Sequence, residues 1–309
     1  MKLALLFPGQ GAQFAGMGRS LYEQFEEVRG VFAEASDLVG EDVWSYCSDE
    51  EKLKQTQYVQ PAMVALGTAV TCVLTGRYGV RPHAAGGLSL GEYAALHAGG
   101  VLGAAQAVAL VAKRGKLMQQ VTGGAMAAVL GMERAQVESA CQQARESGRQ
   151  VWPCNYNCPG QIVISGAGEG VDAAATILRE MGARRVLPLN VSGPFHTPLM
   201  APAADAFREV LAASKLSEPK VSVYSNVTAQ PHGDVQAMRE LLHRQITSPV
   251  RWEDTLQAMA AAGVDTFLEL GPGKTVTGFV KKTLEGVTIL NIEDLDGMCA
   301  VLQKLEVAL

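Results

Sequence analysis

The sequence has few aromatic residues, few charges and no long hydrophobic run. Aromatic residues make up 6% of the 309 residues and charged residues 18%, whereas hydrophobic residues make up 48%. This composition excludes a disordered chain and a small disulfide-stapled domain, and it is sufficient for a large core. The net charge of −5, from 26 Lys and Arg against 31 Asp and Glu, excludes a broadly basic surface. We therefore expect no nucleic acid among the partners.

Paired cysteines and membrane-spanning segments are also missing. The six cysteines form no C-x-x-C pair, and no histidine completes a zinc set with Cys154 and Cys158, so we expect free thiols and no metal. The apolar start, residues 1–7, is too short for a signal peptide, and the longest apolar stretch, 98–112, falls short of the ~20 residues of a membrane span. The sequence predicts a soluble, cytoplasmic protein that does not bind membranes.

Glycine, by contrast, is abundant at 33 residues, and short apolar runs alternate with helical patterns. The run 3–7, closed by Pro8-Gly9, is typical of a strand buried on both faces of a parallel sheet. The alternation predicts an α/β architecture. Further strands are expected at 84–87, 221–225 and 266–270, and helices at 19–39, 61–77, 92–98, 104–120, 197–214, 252–262 and from 274 onward.

The middle of the chain has a different order of elements. Strand, helix, strand, strand, helix and strand are expected between residues 126 and 189, which is the order of a ferredoxin-like βαββαβ unit. Gly123-Gly124 precedes this unit and Ser192-Gly193 follows it. We therefore predict a large discontinuous α/β domain, 1–123 and 190–309, with a small ferredoxin-like domain inserted at 124–189.

The segment Gly87-Leu88-Ser89-Leu90-Gly91 fits the G-x-S-x-G pattern of a nucleophile elbow. Its glycines permit a sharp strand-to-helix turn that exposes the serine hydroxyl at the start of the helix. A chance match in a glycine-rich chain is the alternative, but the strand expected before Ser89 and the helix expected after it favour the elbow.

A serine nucleophile needs a base, and the sequence offers five histidines. We favour His196 because its loop, 192–198, follows a strand and precedes a helix, which places it at the carboxyl edge of the sheet. A purely structural His196 is the alternative. His232 lies in a polar turn that predicts a solvated side chain, and His243 lies on an amphipathic helix.

Arg114 stands out on a mostly apolar helix, with Leu110 and Met118 four residues away on either side. Arginine is rarely buried unless it is paired, so periodicity alone favours an internal salt bridge. Two glycine-rich segments, 9–14 and 268–275, lack the spacing of dinucleotide-binding and P-loop motifs, so no nucleotide cofactor is expected.

Six motifs in chain order resemble the malonyl-CoA:acyl carrier protein transacylases of bacterial fatty acid synthesis and the related stand-alone polyketide acyltransferases. Together they span essentially the whole chain, from Leu3 to Lys282. They are Phe7-Pro8-Gly9-Gln10-Gly11-Ala12-Gln13, Gly87-Leu88-Ser89-Leu90-Gly91-Glu92-Tyr93, Asn157-Cys158-Pro159-Gly160-Gln161, Gly193-Pro194-Phe195-His196, Ser248-Pro249-Val250-Arg251-Trp252 and Glu269-Leu270-Gly271-Pro272-Gly273-Lys274.

The resemblance implies a hydrolase-like α/β domain with a ferredoxin-like insert and an active site between the two. It makes Ser89 the nucleophile and His196 the base. It also makes Arg114 the residue that binds the free malonyl carboxylate. The backbone N–H groups of Gln10 and Leu90 are implied to form the oxyanion hole.

The resemblance extends the substrate-binding set to Met118, Asn157 and Phe195, and Phe195 is the usual companion of malonyl rather than methylmalonyl selectivity. It implies that a backbone carbonyl near residues 249–251, not an acidic side chain, orients the histidine. The chain departs from the family at two positions. Leu88 stands where histidine is usual, and Arg251 stands where glutamine is common.

The implied reaction is a ping-pong transfer of malonyl from malonyl-CoA, through a malonyl-serine, to the phosphopantetheine thiol of acyl carrier protein. No cofactor is implied. Carrier proteins are acidic, and positions that are basic in the family predict the docking surface, with ordinary solvated charge as the alternative. These positions are Arg184, Arg185, Lys281 and Lys282. A serine esterase or thioesterase, a trans-acting polyketide acyltransferase and an inactive carrier-binding subunit remain as rival functions.

Overall fold

The computed structural model describes residues 1–191 and 193–307, so Ser192 of the predicted domain boundary lies outside the described residues. The strands are β1 (Leu3–Phe7), β2 (Ala84–Gly87), β3 (Gly124–Leu130), β4 (Val151–Cys158), β5 (Gln161–Ala167), β6 (Arg185–Pro188), β7 (Ser222–Val223), β8 (Thr266–Leu270) and β9 (Thr288–Ile292). The α-helices are α1 (Arg19–Gln24), α2 (Glu26–Val39), α3 (Val43–Tyr46), α4 (Glu50–Leu53), α5 (Thr56–Cys72), α6 (Gly91–Ala98), α7 (Ala104–Gln119), α8 (Arg134–Glu146), α9 (Gly168–Glu180), α10 (Ala201–Ala213), α11 (Val235–Gln245), α12 (Trp252–Ala261), α13 (Thr275–Thr283) and α14 (Leu295–Lys304).

The larger sheet is parallel and has the strand order β7-β2-β1-β8-β9. Its central strand, β1, is buried along its whole length because helices cover both faces. Leu5 and Phe7 belong to a core shared with α5, α6 and α7, whereas Ala4 and Leu6 pack with residues of α12 and α13. The predicted α/β architecture with a parallel sheet is confirmed.

The smaller sheet is antiparallel and has the order β4-β5-β3-β6. One face packs against α8 and α9 and forms a core of its own around Val129 and Ile164. Met126 and Val163 point to the other face and join the core of the larger sheet. The βαββαβ insert is therefore confirmed as a fold, while the exact boundaries 124 and 189 stay a prediction.

Several helix boundaries differ from the expected ones. The segment 19–39 forms two helices, because Phe25 adopts an extended backbone between α1 and α2. The helix expected from Pro61 starts at Thr56, so the proline lies inside α5, which continues into a π-helical turn at Val73–Arg77. The expected helix start at 197 is a 3₁₀ turn, and the Thr197 hydroxyl donates to the Pro194 carbonyl rather than capping the helix. Neither β9 nor α14 was expected from the sequence.

One described helix, Thr56–Arg77, is long and apolar enough to cross a membrane, with a mean hydropathy of 1.5. However, 83% of its apolar window is buried inside the protein. Residues of α5 pack with those of α2, α6 and α7 in the main core, so the apolar character of this helix is accounted for by the fold.

All six cysteines lie within the described residues and are free thiols, as expected. Cys299 is exposed, Cys72 is partly buried and the others are buried. Burial raises the pKa of the Cys47 and Cys141 thiols to about 12, which makes these two poor nucleophiles at neutral pH.

Candidate active site

Ser89 lies on a tight turn between β2 and α6, at the carboxyl end of the parallel sheet. Its φ is 55°, an unfavourable backbone conformation for a residue with a side chain. The turn requires glycine on both sides. A Cβ on Gly87 would lie 2.0 Å from the Gly91 carbonyl carbon, and one on Gly91 would lie 2.5 Å from the Phe7 carbonyl oxygen. The local geometry is that of a nucleophile elbow.

His196 faces the serine hydroxyl across the site. Its Nε2 lies 2.8 Å from Ser89 Oγ, and its Nδ1 lies 2.8 Å from the Gln245 carbonyl oxygen. Because a carbonyl can only accept, Nδ1 carries the proton and the lone pair on Nε2 faces the hydroxyl. A backbone carbonyl rather than an acidic side chain orients His196, as the resemblance implies, and it belongs to Gln245, four residues before the segment 249–251. The backbone hydrogen bonds of His196 also involve Ser248, directly before that segment. Val250 itself exchanges backbone hydrogen bonds with β4, accepting from Tyr156 and donating to Cys154.

The environment keeps His196 neutral. Burial lowers its pKa, and the nearby Arg114 cation lowers it further, while backbone hydrogen bonds raise it. The resulting pKa of His196 is about 4. At neutral pH the imidazole is therefore free to accept a proton, which is the state a general base needs.

Arg114 is completely buried directly beside the nucleophile. Nη1 donates to Gln60 Oε1 at 2.7 Å, while Nη2 donates to Gln245 Oε1 at 3.0 Å and to Ser89 Oγ at 3.1 Å. No carboxylate in the described part of the chain lies within 4.0 Å, so the internal salt bridge favoured by periodicity is wrong. The guanidinium also lies over the Tyr93 ring, 5.5 Å from its centroid. A buried cation held by neutral partners is suited to bind an anion.

Two backbone N–H groups next to Ser89 have no acceptor among the described residues: those of Gln10 and Leu90. Their neighbours differ, since Leu88 N–H donates to Phe7 and Gly91 N–H to Leu88. Both residues line the cavity above the serine, which is where an oxyanion hole has to lie.

A cavity of about 340 Å³ lies above Ser89, between the two sheets. Met118 and Phe195 line it from the larger domain, and Asn157 lines it from β4. Asn157 is buried, and its Oδ1 has no hydrogen-bond partner among the described residues. Leu88, at the position where the family usually has histidine, adds an apolar side chain to the wall. Arg114 is absent from the residues that line the cavity and reaches the site through its contact with Ser89 Oγ.

The four basic residues predicted to dock a carrier protein are exposed, on segments that lead to the cavity wall or contribute to it. Arg185 begins β6 and Arg184 directly precedes it, and the strand leads to Leu189 on the cavity wall. Lys281 and Lys282 lie at the end of α13, whose earlier residues line the same cavity. The structure therefore brings both basic pairs onto the elements around the site.

Sequence reasoning missed the amide side chains that hold this site together. Asn226 accepts the Ser89 N–H at 2.7 Å and donates to the Gly87 carbonyl at 2.7 Å, so it bridges the elbow. Gln245 and Gln60 hold the guanidinium of Arg114. A polar residue on an otherwise apolar helix face was the available signal, and Gln60 shows it within α5.

Two other side chains lie elsewhere than expected. His232, predicted to be solvated, is buried, and its Nε2 lies 2.8 Å from Glu92 Oε1. Arg251 does not line the cavity, because its Nε donates to Asp254, which also binds Arg134 of α8. Arg251 therefore belongs to an ion-pair cluster that joins the two domains.

Comparison with known proteins agrees with this geometry. The acyl transferase domain model matches residues 4–301. The chain belongs to the acyl transferase domain family. It is 41% identical over 310 residues to the malonyl CoA-acyl carrier protein transacylase of Bacillus subtilis, covering 99% of this chain and 98% of the relative. It is 39% identical over 307 residues to the enzyme of the same name from Escherichia coli, covering 98% and 99%.

Solved structures of malonyltransferases have the same fold as this chain. An acyl carrier protein S-malonyltransferase from Vibrio cholerae superposes with a TM-score of 0.93 at 40% identity, covering 97% of this chain and 100% of that one. A malonyl-transacylase in complex with a type II PKS acyl-carrier protein superposes with a TM-score of 0.95 at 38% identity, covering 98% and 100%.

Proposed function

We propose that this protein transfers the malonyl group from malonyl-CoA to the phosphopantetheine thiol of an acyl carrier protein, through a malonyl ester on Ser89. The observation that carries the proposal is the position of Ser89 Oγ, 2.8 Å from a neutral histidine and 3.1 Å from a buried guanidinium that has no carboxylate within 4.0 Å in the described part of the chain. The family membership and the relatives named for this activity support it.

In the first half-reaction, Ser89 Oγ attacks the thioester carbonyl carbon and its proton passes to His196 Nε2. The carbonyl oxygen becomes an oxyanion that accepts hydrogen bonds from the Gln10 and Leu90 amides, each worth ~3–4 kcal/mol in comparable sites. The carbon–sulfur bond then breaks, and the coenzyme A sulfur takes the proton from His196. The ester remains on Ser89.

In the second half-reaction, the phosphopantetheine thiol gives its proton to His196 and its sulfur attacks the ester carbonyl. The same two amides hold the oxyanion. The bond to Ser89 Oγ breaks, and the serine oxygen takes the proton back from His196. The product is malonyl-carrier protein, and no cofactor takes part in either step; dialysis against a chelator should leave the rate unchanged.

Arg114 gives the site its preference for an acyl group that ends in a carboxylate. Acylation converts Ser89 Oγ from a hydroxyl into an ester oxygen, which frees Nη2 for a stronger acceptor. In the malonyl ester, the carboxylate carbon is three bonds from Ser89 Oγ. The carboxylate can therefore take the place of the hydroxyl as the acceptor of Nη2, held by the planar guanidinium. Met118 and Phe195 give the acyl group apolar walls, Phe195 limits branching at its α-carbon, and the free Oδ1 of Asn157 accepts from a pantetheine amide N–H.

The carrier protein approaches along β6 and α13 in this proposal. Arg184, Arg185, Lys281 and Lys282 are exposed there and face no acidic partner among the described residues within 4.0 Å. They would meet the acidic surface of a carrier protein, while its phosphopantetheine arm enters the cavity. The buried α5 and the free thiols suit a cytoplasmic enzyme that uses no membrane. The net charge of −5 suits a protein that does not bind nucleic acid.

Intact-mass spectrometry tests the reaction directly. Malonyl-CoA should add one malonyl mass to the peptide that contains Ser89, and a phosphopantetheinylated carrier protein should then remove it and gain the same mass. Ser89→Ala should form no adduct. A label on a cysteine would contradict the serine mechanism. Rapid discharge to water without carrier protein would identify an esterase or thioesterase instead.

A further inference from the structure

A buried carboxylate lies on the helix that follows the elbow and is not among the residues that line the cavity. Glu92 is fully buried on the first turn of α6, and its two oxygens have three nitrogen partners. Oε1 lies 2.8 Å from His232 Nε2, while Oε2 accepts from the Asn226 backbone N–H at 3.0 Å and from Gln245 Nε2 at 2.7 Å. The reaction proposed above uses neither Glu92 nor His232.

The hydrogen bond to Glu92 determines the orientation of the side-chain amide of Gln245. Gln245 Nε2 donates to Glu92 Oε2 and, at 3.0 Å, to the Ser89 carbonyl, which leaves Oε1 facing Arg114 Nη2 at 3.0 Å. The reversed amide would place an oxygen against two acceptors and an NH₂ group against a guanidinium. Glu92 therefore selects the one orientation that presents an acceptor to Arg114.

We propose that Glu92, backed by His232, is a positioning residue that sets the acyl preference of the site through the side chain of Gln245. Glu92 holds the amide, the amide holds the guanidinium of Arg114, and the guanidinium receives the malonyl carboxylate. The inference rests on the proposed function, because Arg114 must first be the carboxylate-binding group. His196 is held by the main-chain carbonyl of Gln245 instead, so the base is less affected than the acyl preference.

A set of variants separates positioning from simple stabilisation. Glu92→Leu removes both acceptors, whereas Glu92→Gln keeps one oxygen for Gln245 and turns its NH₂ toward His232. Gln245→Met removes the amide itself. Glu269→Gln is the matched control, since Glu269 is a similarly buried carboxylate that accepts from the Val276 and Thr277 amides away from the elbow.

The readouts are the melting temperature and the ratio of kcat/KM for malonyl-CoA to that for acetyl-CoA, per acylatable site. Misplacing a catalytic group by about 1 Å can cost on the order of 100-fold, so we expect Glu92→Leu to lower the ratio by about 10- to 100-fold. Glu92→Gln should restore most of the ratio. Gln245→Met should match Glu92→Leu, and the double variant should fall no further, because both act through one contact. Glu269→Gln should melt earlier and keep the wild-type ratio.

Several results would overturn the inference. A Glu92→Leu enzyme that melts earlier but keeps the wild-type ratio would make Glu92 a stabilising residue only. An additive double variant would separate it from Gln245. If Glu92→Leu does not fold, a wild-type ratio in Gln245→Met overturns the inference equally. Failure of the proposed function is a distinct result, since the wild-type enzyme would then form no malonyl-Ser89 or show no preference for malonyl.

Discussion

Replacing Arg114 by alanine should change the choice of acyl group more than the ability to acylate. Malonyl differs from acetyl by one terminal carboxylate, and the guanidinium of Arg114 is the buried cation nearest the nucleophile, with Nη2 3.1 Å from Ser89 Oγ. Acetyl-CoA has no carboxylate to lose. Its rate should fall little or even rise in Arg114→Ala.

The size of the effect follows from burial. The guanidinium is fully buried and has neutral amide and hydroxyl partners, so a malonyl carboxylate would be its desolvated counterion. Removing one member of such a pair costs ~2–5 kcal/mol, which is roughly 30- to several-thousand-fold in kcat/KM for malonyl-CoA. Arg114→Lys should recover only part of this, because an ammonium lacks the planar fork.

The same substitution should also lower stability, and the assay must separate the two effects. Without Arg114, the side-chain oxygens of Gln60 and Gln245 lose a buried donor, at a cost of ~1–3 kcal/mol for each unsatisfied group. Rates are therefore measured per acylatable Ser89, for malonyl-CoA and acetyl-CoA side by side, with a thermal melt. A parallel fall for both substrates would refute the carboxylate-binding role.

The remaining predictions concern the base, the pH profile and the docking surface. His196→Ala should slow single-turnover acylation by about 10²–10⁴-fold, whereas Leu88→His, also at the cavity, should change it far less; near-normal acylation by His196→Ala would mean that another group is the base. Because burial and the Arg114 cation depress the pKa of His196 to about 4, acylation should be flat from neutral pH downward and fall only as His196 takes up a proton near pH 4. Arg114→Ala should move this limb to higher pH. A wild-type limb above pH 6, or a limb that Arg114→Ala leaves unmoved, would contradict the assignment of the limb to His196. Reversing Arg184 and Arg185 to Glu should raise KM for the carrier protein, leave that for malonyl-CoA unchanged and weaken the salt dependence of association; equal effects on both substrates would argue against docking there.

The parallel sheet, the inserted unit and the elbow at Ser89 could be predicted because they follow from local patterns, whereas the pairing of Ser89 with His196 rested on the loop that holds His196 and on the family resemblance. Apolar runs closed by glycine identify strands such as β1, and the elbow needs Gly87 and Gly91 at fixed spacing. Short motifs of this kind carry their own geometry. The site residues that were missed carry no motif, because each acts through a contact that only the fold creates.

Gln245 illustrates this limit and the signal that was available. It ends α11 seven residues after Met238 and three after Leu242, both of which are fully buried, so all three lie on one helix face. A glutamine on an apolar face predicts an internal hydrogen bond, but the pattern does not name the partner. The partners are Arg114 and Glu92, 131 and 153 residues away in the chain.

The predicted helix boundaries were wrong for a related reason. No proline or glycine marks the break between α1 and α2 at Phe25, whose ring is buried and makes an edge contact with Tyr78. Pro61 lies well inside α5, where helix propensity opposes it, yet that helix is buried on nearly every side. In both places tertiary packing outweighs the local preference that sequence analysis uses.

The catalytic geometry is held almost entirely by the larger domain. Ser89 and His196 both have positive φ values, 55° and 60°, a strain of ~1–3 kcal/mol each that persists only where the surroundings fix the backbone. Asn226 bridges the elbow, and the Gln245 carbonyl holds the imidazole. The smaller domain supplies no partner to Ser89, His196 or Arg114 among the described hydrogen bonds; it supplies cavity wall, through residues such as Met126 and Asn157. Substitutions on that wall should therefore alter which acyl and pantetheine groups fit, while the serine, its base and its guanidinium keep their mutual distances.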